Sequence, residues 1–347
     1  MLDAATAPTD VVVHETLSSG VEFAADALPS RQTVSIVFRV LAGASDDPAD
    51  LTGLGSIVER TLNKGTKKYS GQELADAFDK IGAQLSSACG RQSTVVRVSC
   101  LPEFTLDVVD LVGEMLASPT FPDDACGVAT QLAAEELKHM DDDPQSLLMV
   151  AMQRLALGPV YGRHPGGEVD SLPRIKPKHV REFWANYFHA GRVQVVAAGP
   201  VNVDALCARV DKQFKGLGSA TAAGRGGVDY RIAVERKHIN KDLKQQYIGI
   251  SLQGAAKGSP GFAAEQVAVA VLSGGMSARL FTEVREKQGL VYWVGAWAEQ
   301  PRGMGLIHLG ASTTPERCEK TYQTLLRELA RLSEDLTEEE VKRARDG

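Results

Sequence analysis

The stretch GLGSATAAGRGGVD, residues 216–229, constrains the architecture more than any other part of the chain. It is rich in glycine and alanine, nearly uncharged, and has neither a helical nor a strand-like apolar period. It therefore has no face to bury and reads as a flexible linker. It divides the 347 residues into a first domain, 1–215, and a second, 230–347, each long enough for its own core.

Both parts carry the same grammar. In the first, residues 34–42 (VSIVFRVLA) and 192–198 (RVQVVAA) are β-branched and apolar, as strands buried on both faces would be. Helical periodicity covers 51–63, 102–116 and 123–140. It is clearest over 70–82, where Ser70 and Glu73 form a capping box and Gly82 is a stop. An extended segment opens the chain at 11–24, and 94–101 is strand-like. In the second part a strand at 246–252 precedes helices at 261–272 and 278–288, and a strand pair follows at 290–298 and 305–311. The helix running through Lys80 to Gly82 resembles the one running through Lys287 to Gly289, which suggests two copies of one αβ domain. No glycine-rich phosphate turn joins a strand to a helix. The expected class is α+β, with a mostly antiparallel sheet covered by helices in each domain.

Composition excludes several functions. A net charge of -6 without a basic cluster argues against nucleic acid as a partner. With 44% apolar and 24% charged residues the chain is of globular type, and no run of 18 apolar residues exists to span a membrane. The N-terminus lacks the pattern of a signal peptide, so the expected compartment is the cytoplasm, or the periplasm had a leader been removed. Cys89, Cys100, Cys126, Cys207 and Cys318 are odd in number and scattered, and read as reduced thiols.

Three segments carry a more specific signal. The first is GASDDP (43–48) with GLGSIVERTLNKGT (53–66). The second is Glu135-Glu136-Leu137 with Asp142-Asp143-Pro144, and the third is SGGMSARLF (273–281) with EVREKQGLVY (283–292). YGRHP (161–165) and Ala198-Gly199-Pro200 add to them. In order and spacing they resemble the pitrilysin/insulinase-like metallopeptidases, in particular the short two-domain branch that includes mitochondrial processing peptidase. The resemblance implies two homologous domains forming half of a clamshell. It also implies an inverted His-x-x-Glu-His motif whose two imidazoles bind zinc one helical turn apart, with the motif glutamate as general base.

Mapped onto this chain, that motif is broken. Ser56 and Arg60 stand where the histidines would be, Glu59 keeps the base position, and Glu136 matches the third ligand. Ala129 replaces a usual supporting glutamate. One carboxylate cannot hold a catalytic zinc, and Arg60 brings a permanent cation expected to pair with Glu136 or Glu59. No metal is expected on this chain. His139, one turn beyond Glu136, is read as a surface histidine, and the other six histidines show no ligand spacing. Arg285 and Tyr292, in contrast, match a family pair that contacts substrate near the scissile bond. From spacing alone they would be a solvated arginine and a core tyrosine. The short loop 253–261 lacks the long glycine-rich insertion of the non-catalytic processing-peptidase subunit.

The expected function is therefore a non-catalytic subunit of a heterodimeric zinc peptidase. A paralogous partner would carry the zinc, and an unfolded or short peptide would be the substrate. The chain alone would hydrolyse nothing. The alternative is a structural or assembly subunit derived from a peptidase, like the core proteins of respiratory complexes. A helix starts at Thr337, and family members continue beyond residue 347, so the second domain is expected to be short at its C-terminus.

Overall fold

The computed structural model describes residues 12–218, 232 and 234–346. In chain order the elements of the first half are β1 (Val13–Thr16), β2 (Glu22–Ala27), β3 (Val34–Val40), α1 (Leu54–Thr61), α2 (Gly71–Lys80), β4 (Gln84–Cys89) and β5 (Thr94–Cys100). Then come α3 (Thr105–Ala117), α4 (Asp123–Asp141), α5 (Pro144–Tyr161), α6 (Pro177–Tyr187), β6 (Val193–Gly199) and α7 (Val203–Phe214). The second half contains β7 (Gln246–Gly254), α8 (Phe262–Ser273), a π-helix (Leu280–Glu286), β8 (Val291–Glu299), β9 (Gly305–Thr313), α9 (Cys318–Glu334) and α10 (Glu338–Asp346). Helices and two separate sheets make the class α+β.

The chain forms two compact units, 1–138 with 163–224 and 139–162 with 225–347. The sequence division at residue 215 leaves 139–162 in the first part, whereas α5 packs with the second unit. Its Met152 and Leu148 lie against Gly249 of β7, where a Cβ would sit 2.3 Å from the Met152 sulfur. Ala156 and Leu157 cluster with Met304 and Leu306. Residues 219–229 of the expected linker lie outside the described residues.

The first unit holds a six-stranded sheet of order β1-β2-β6-β3-β5-β4, antiparallel except for the parallel pair β2–β6. Two expectations are corrected here. β3 and β6 are buried on one face only: Val34, Ile36, Phe38 and Val40 point inward, while Ser35 and Arg39 are exposed. On β6, Val196 is 49% exposed. An antiparallel sheet covered on one side needs only alternate apolar positions, and its open face tolerates valine beside polar residues. The helix expected over 51–63 starts at Leu54, because Gly53 takes a left-handed conformation (φ 96°) as its N-cap. The capping box at Ser70 forms as expected, with Glu73 N–H donating to Ser70 Oγ (3.2 Å) and Ser70 N–H to Glu73 Oε2 (2.8 Å).

The second unit repeats part of this plan. Its sheet has the order β7-β9-β8, the order in which β3, β5 and β4 lie in the first unit. The connecting elements also correspond. A helix ending in a left-handed glycine, Gly82 (φ 63°) or Gly289 (φ 58°), feeds the edge strand each time. Where the first unit has the α-helix α2, the second has a π-helix. The core of the second unit gathers Leu272, Leu280, Val284, Leu290, Leu309, Ala311 and Leu325. Beside it, Arg279, 6% exposed, donates to both oxygens of Glu340 (2.6 and 2.7 Å) and to Asp335 (2.8 Å). This bidentate clamp ties α10 to the turn before the π-helix. Among the described residues no helix is long and apolar enough to cross a membrane.

Candidate functional site

In the first unit the site is built on α1 and α4. The entry to α1 is fixed by a buried carboxylate. Asp47 accepts hydrogen bonds from the amides of Gly53 (2.7 Å) and Gly55 (2.8 Å), two donors the helix start leaves unpaired. Burial pushes the Asp47 carboxyl up to about 7 in spite of those two amides and of Arg163, which pull it down. Arg163 also donates to the Asp47 carbonyl (2.7 Å), and Ser171 donates to the Thr52 carbonyl (2.6 Å). The YGRHP region thus buttresses the loop in front of α1.

From this base α1 presents Ser56, Glu59 and Arg60. Ser56 is buried, and Arg60 Nε donates to its hydroxyl at 3.3 Å. The rest of the guanidinium forks onto Glu136 of α4, with Nη1 to Oε1 at 2.9 Å and Nη2 to Oε2 at 2.5 Å. This geometry holds Glu136 below the usual carboxylate range and raises Arg60. Glu59 is left out of the fork. It accepts from the Ser87 hydroxyl on the edge strand β4, and burial raises its carboxyl while Ser87 and Arg60 counter the rise. Ala129 is buried on the inner face of α4, and His139 is exposed. Among the described residues no three His, Cys, Asp or Glu side chains are grouped so as to hold a metal ion.

The second unit displays the other pair. Arg285 lies on the π-helix, exposed, with its guanidinium 5.0 Å above the Phe281 ring. Tyr292 is 63% exposed, so the reading of a core tyrosine does not apply. The reason is a bulge. Val291 pairs with Thr313 and Trp293 with Ser312, which leaves Tyr292 without a partner on β9 and turns its ring outward. π-Helices and bulges both recur at functional sites because each redirects a side chain at a cost in regularity.

Sequence reasoning missed Ser87, because its approach to Glu59 depends on the register of β4. It also missed the capping role of Asp47, although an Asp before a Gly-x-Gly turn is a visible signal. Phe281 beneath Arg285 was legible as an i,i+4 pair.

The fold thus consists of two αβ units, the first carrying a glutamate-bearing helix faced by a second acidic helix. The pattern described as insulinase (peptidase family M16) matches residues 22–158, and that of the peptidase M16 inactive domain matches residues 174–347. The chain belongs to peptidase family M16. Similar chains include an uncharacterized zinc protease of Rickettsia felis, 24% identical, with 92% of this chain and 77% of the relative covered. A second, from Streptomyces coelicolor, is 26% identical over 96% of this chain and 74% of its own length. Among solved structures, a peptidase M16 inactive domain from Pseudomonas fluorescens superposes with a TM-score of 0.85 at 21% identity, covering 96% of this chain and 82% of that one. A Helicobacter pylori protease gives 0.83 at 18% identity, with 96% and 83% covered.

The relatives' names imply zinc, and the residues here do not fit it. Ser56 offers a neutral hydroxyl already bonded to Arg60, and both oxygens of Glu136 are occupied by a guanidinium. A dication would have to displace a bidentate, charge-assisted pair and tolerate a fixed cation in its place.

Proposed function

We propose that this chain is the zinc-less subunit of a two-subunit M16 peptidase. A paralogous partner supplies the complete metal site, and this chain supplies Arg285 and Tyr292 to the peptide. The observation that carries the reading is the asymmetry between the two units. The Arg60–Glu136 fork ties up the carboxylate that matches a family zinc ligand, while Arg285 and Tyr292 are exposed on two irregular elements. A guanidinium and a phenol can both donate to a peptide carbonyl, and would stabilise one that gains charge during attack.

The test is co-expression with a zinc-bearing paralogue. The purified chain alone should contain no stoichiometric zinc and cleave no fluorogenic peptide, and the mixed complex should cleave it. Arg285→Ala should lower the complex's turnover by about a hundredfold, the scale on which one donor to a developing oxyanion acts. Unchanged turnover in that variant would sink the shared-site reading and favour an assembly role.

A further inference from the structure

The bulge that exposes Tyr292 and the turn that follows Arg285 are held by groups at the end of β9 and in the turn after it. Gly289 closes the π-helix with its amide on the Arg285 carbonyl (3.0 Å), and the Leu290 amide reaches the Val284 carbonyl (3.0 Å). The carbonyls of the same two residues are also taken. Arg317 Nη1 donates to the Gly289 carbonyl (2.6 Å), and the Thr313 hydroxyl donates to the Leu290 carbonyl (2.6 Å). Thr313 is fully buried, and the Thr321 hydroxyl lies 3.2 Å from it and 2.9 Å from the Arg317 carbonyl.

We propose that Thr313 and Arg317 are positioning residues for the Arg285 and Tyr292 pair, which rests on the reading of that pair as peptide-contacting. Thr313 grips the chain twice, by its backbone pairing with Val291 and by its side chain on Leu290, at the last point before the extra residue. Without that grip the bulge can anneal. Tyr292 then pairs with Ser312 in place of Trp293, and every side chain beyond it on β8 changes face. The phenol would exchange places with an indole, and a peptide would no longer meet the Tyr292 hydroxyl. Arg317 acts on the other member of the pair, because the Gly289 it anchors is the residue bonded back to Arg285.

Hydrogen–deuterium exchange and tyrosine nitration test this on the chain itself. Thr313→Val keeps the β-branched shape and removes the donor, Thr313→Ser keeps the donor, and Arg317→Gln removes the guanidinium. Exchange of the Gly289 and Leu290 amides should rise about tenfold in the valine and glutamine variants, the scale of one hydrogen bond of ordinary net strength. Nitration of Tyr292 by tetranitromethane should fall in Thr313→Val, and the serine variant should behave as the parent. Unchanged exchange and nitration in both Thr313→Val and Arg317→Gln would overturn the proposal. If exchange and nitration respond while Arg285→Ala is silent in the mixed complex, the positioning stands and the peptide-contact reading falls.

Discussion

At the scale of single residues, Arg60 and Asp47 are both held by their surroundings, and they predict different things. The Arg60–Glu136 pair is bidentate, but its side chains are 28% and 60% exposed, so water and salt screen it. Glu136→Gln should lower stability by no more than about 1 kcal/mol in urea denaturation. On the proposed reading the pair's importance is chemical rather than energetic, since it occupies both oxygens of Glu136. Ser56→His combined with Arg60→His removes the fork and rebuilds His-x-x-Glu-His opposite Glu136. That double variant should take up one zinc ion per chain by elemental analysis, with the parent taking up none. Asp47 is different because it is 5% exposed. Its carboxyl ionises less readily in the folded chain (about 7) than at its reference value of 3.8. The folded state therefore binds the proton more tightly. Its contribution to stability is full below that reference value, and it is lost as pH rises through about 7. The loss should be of the order of a few kcal/mol. Chemical denaturation at a series of pH values should show this fall, and Asp47→Asn should flatten it.

At the scale of elements, glycines decide where helices begin and end, and not all to the same degree. Gly82 has φ 63° with nothing within 4 Å of a built Cβ, so Gly82→Ala should cost only the left-handed penalty of about 1–2 kcal/mol. Gly53 has φ 96° and a Cβ there would lie 2.9 Å from the Gly167 Cα, backbone against backbone. Gly53→Ala should be the more destabilising of the two, and thermal melts of both variants would rank them. The capping box at Ser70 and the stops at Gly82 and Gly289 were legible in the sequence because each rests on local chemistry. The start of α1 was misread because its cap is supplied by Asp47 across a loop. β3 and β6 were misread for a related reason. A run of valines fits either one buried face or two, and only the neighbouring helices decide. The π-helix and the bulge at Tyr292 left no sequence signal at all, since each is a shift of one residue fixed by distant partners such as Thr313 and Arg317. Of the site, the identities at 56, 59, 60 and 136 were readable, and so was the fork as one of two pairings. Ser87 and Phe281 needed coordinates or a closer look at spacing.

At the scale of the whole molecule, the M16 membership is legible from ordered motifs, and the proposed role follows from which of them are kept. The repeated strand order in the two units shows one αβ plan used twice, with Ser56, Glu59, Arg60 and Glu136 on one copy and the exposed Arg285 and Tyr292 on the other. Size-exclusion chromatography of the chain with a zinc-bearing paralogue should give a mixed complex. If Arg285→Ala still forms that complex but turns over more slowly, contact with the substrate is separated from assembly.

The place of β6 in the first sheet has a consequence for synthesis. It lies between β2 and β3, yet it is translated more than 150 residues after either begins, as Glu22 pairs with Gln194 and Val40 with Val193. Until residue 199 leaves the ribosome, two strand edges rich in valine, alanine and phenylalanine face solvent unpaired. Such late closure is slow and prone to edge-to-edge association. A fragment stopped at residue 190 should therefore accumulate in inclusion bodies and depend on chaperones in the cell, whereas the full chain should not. Closure of the first sheet therefore waits until more than half of the 347 residues have been made.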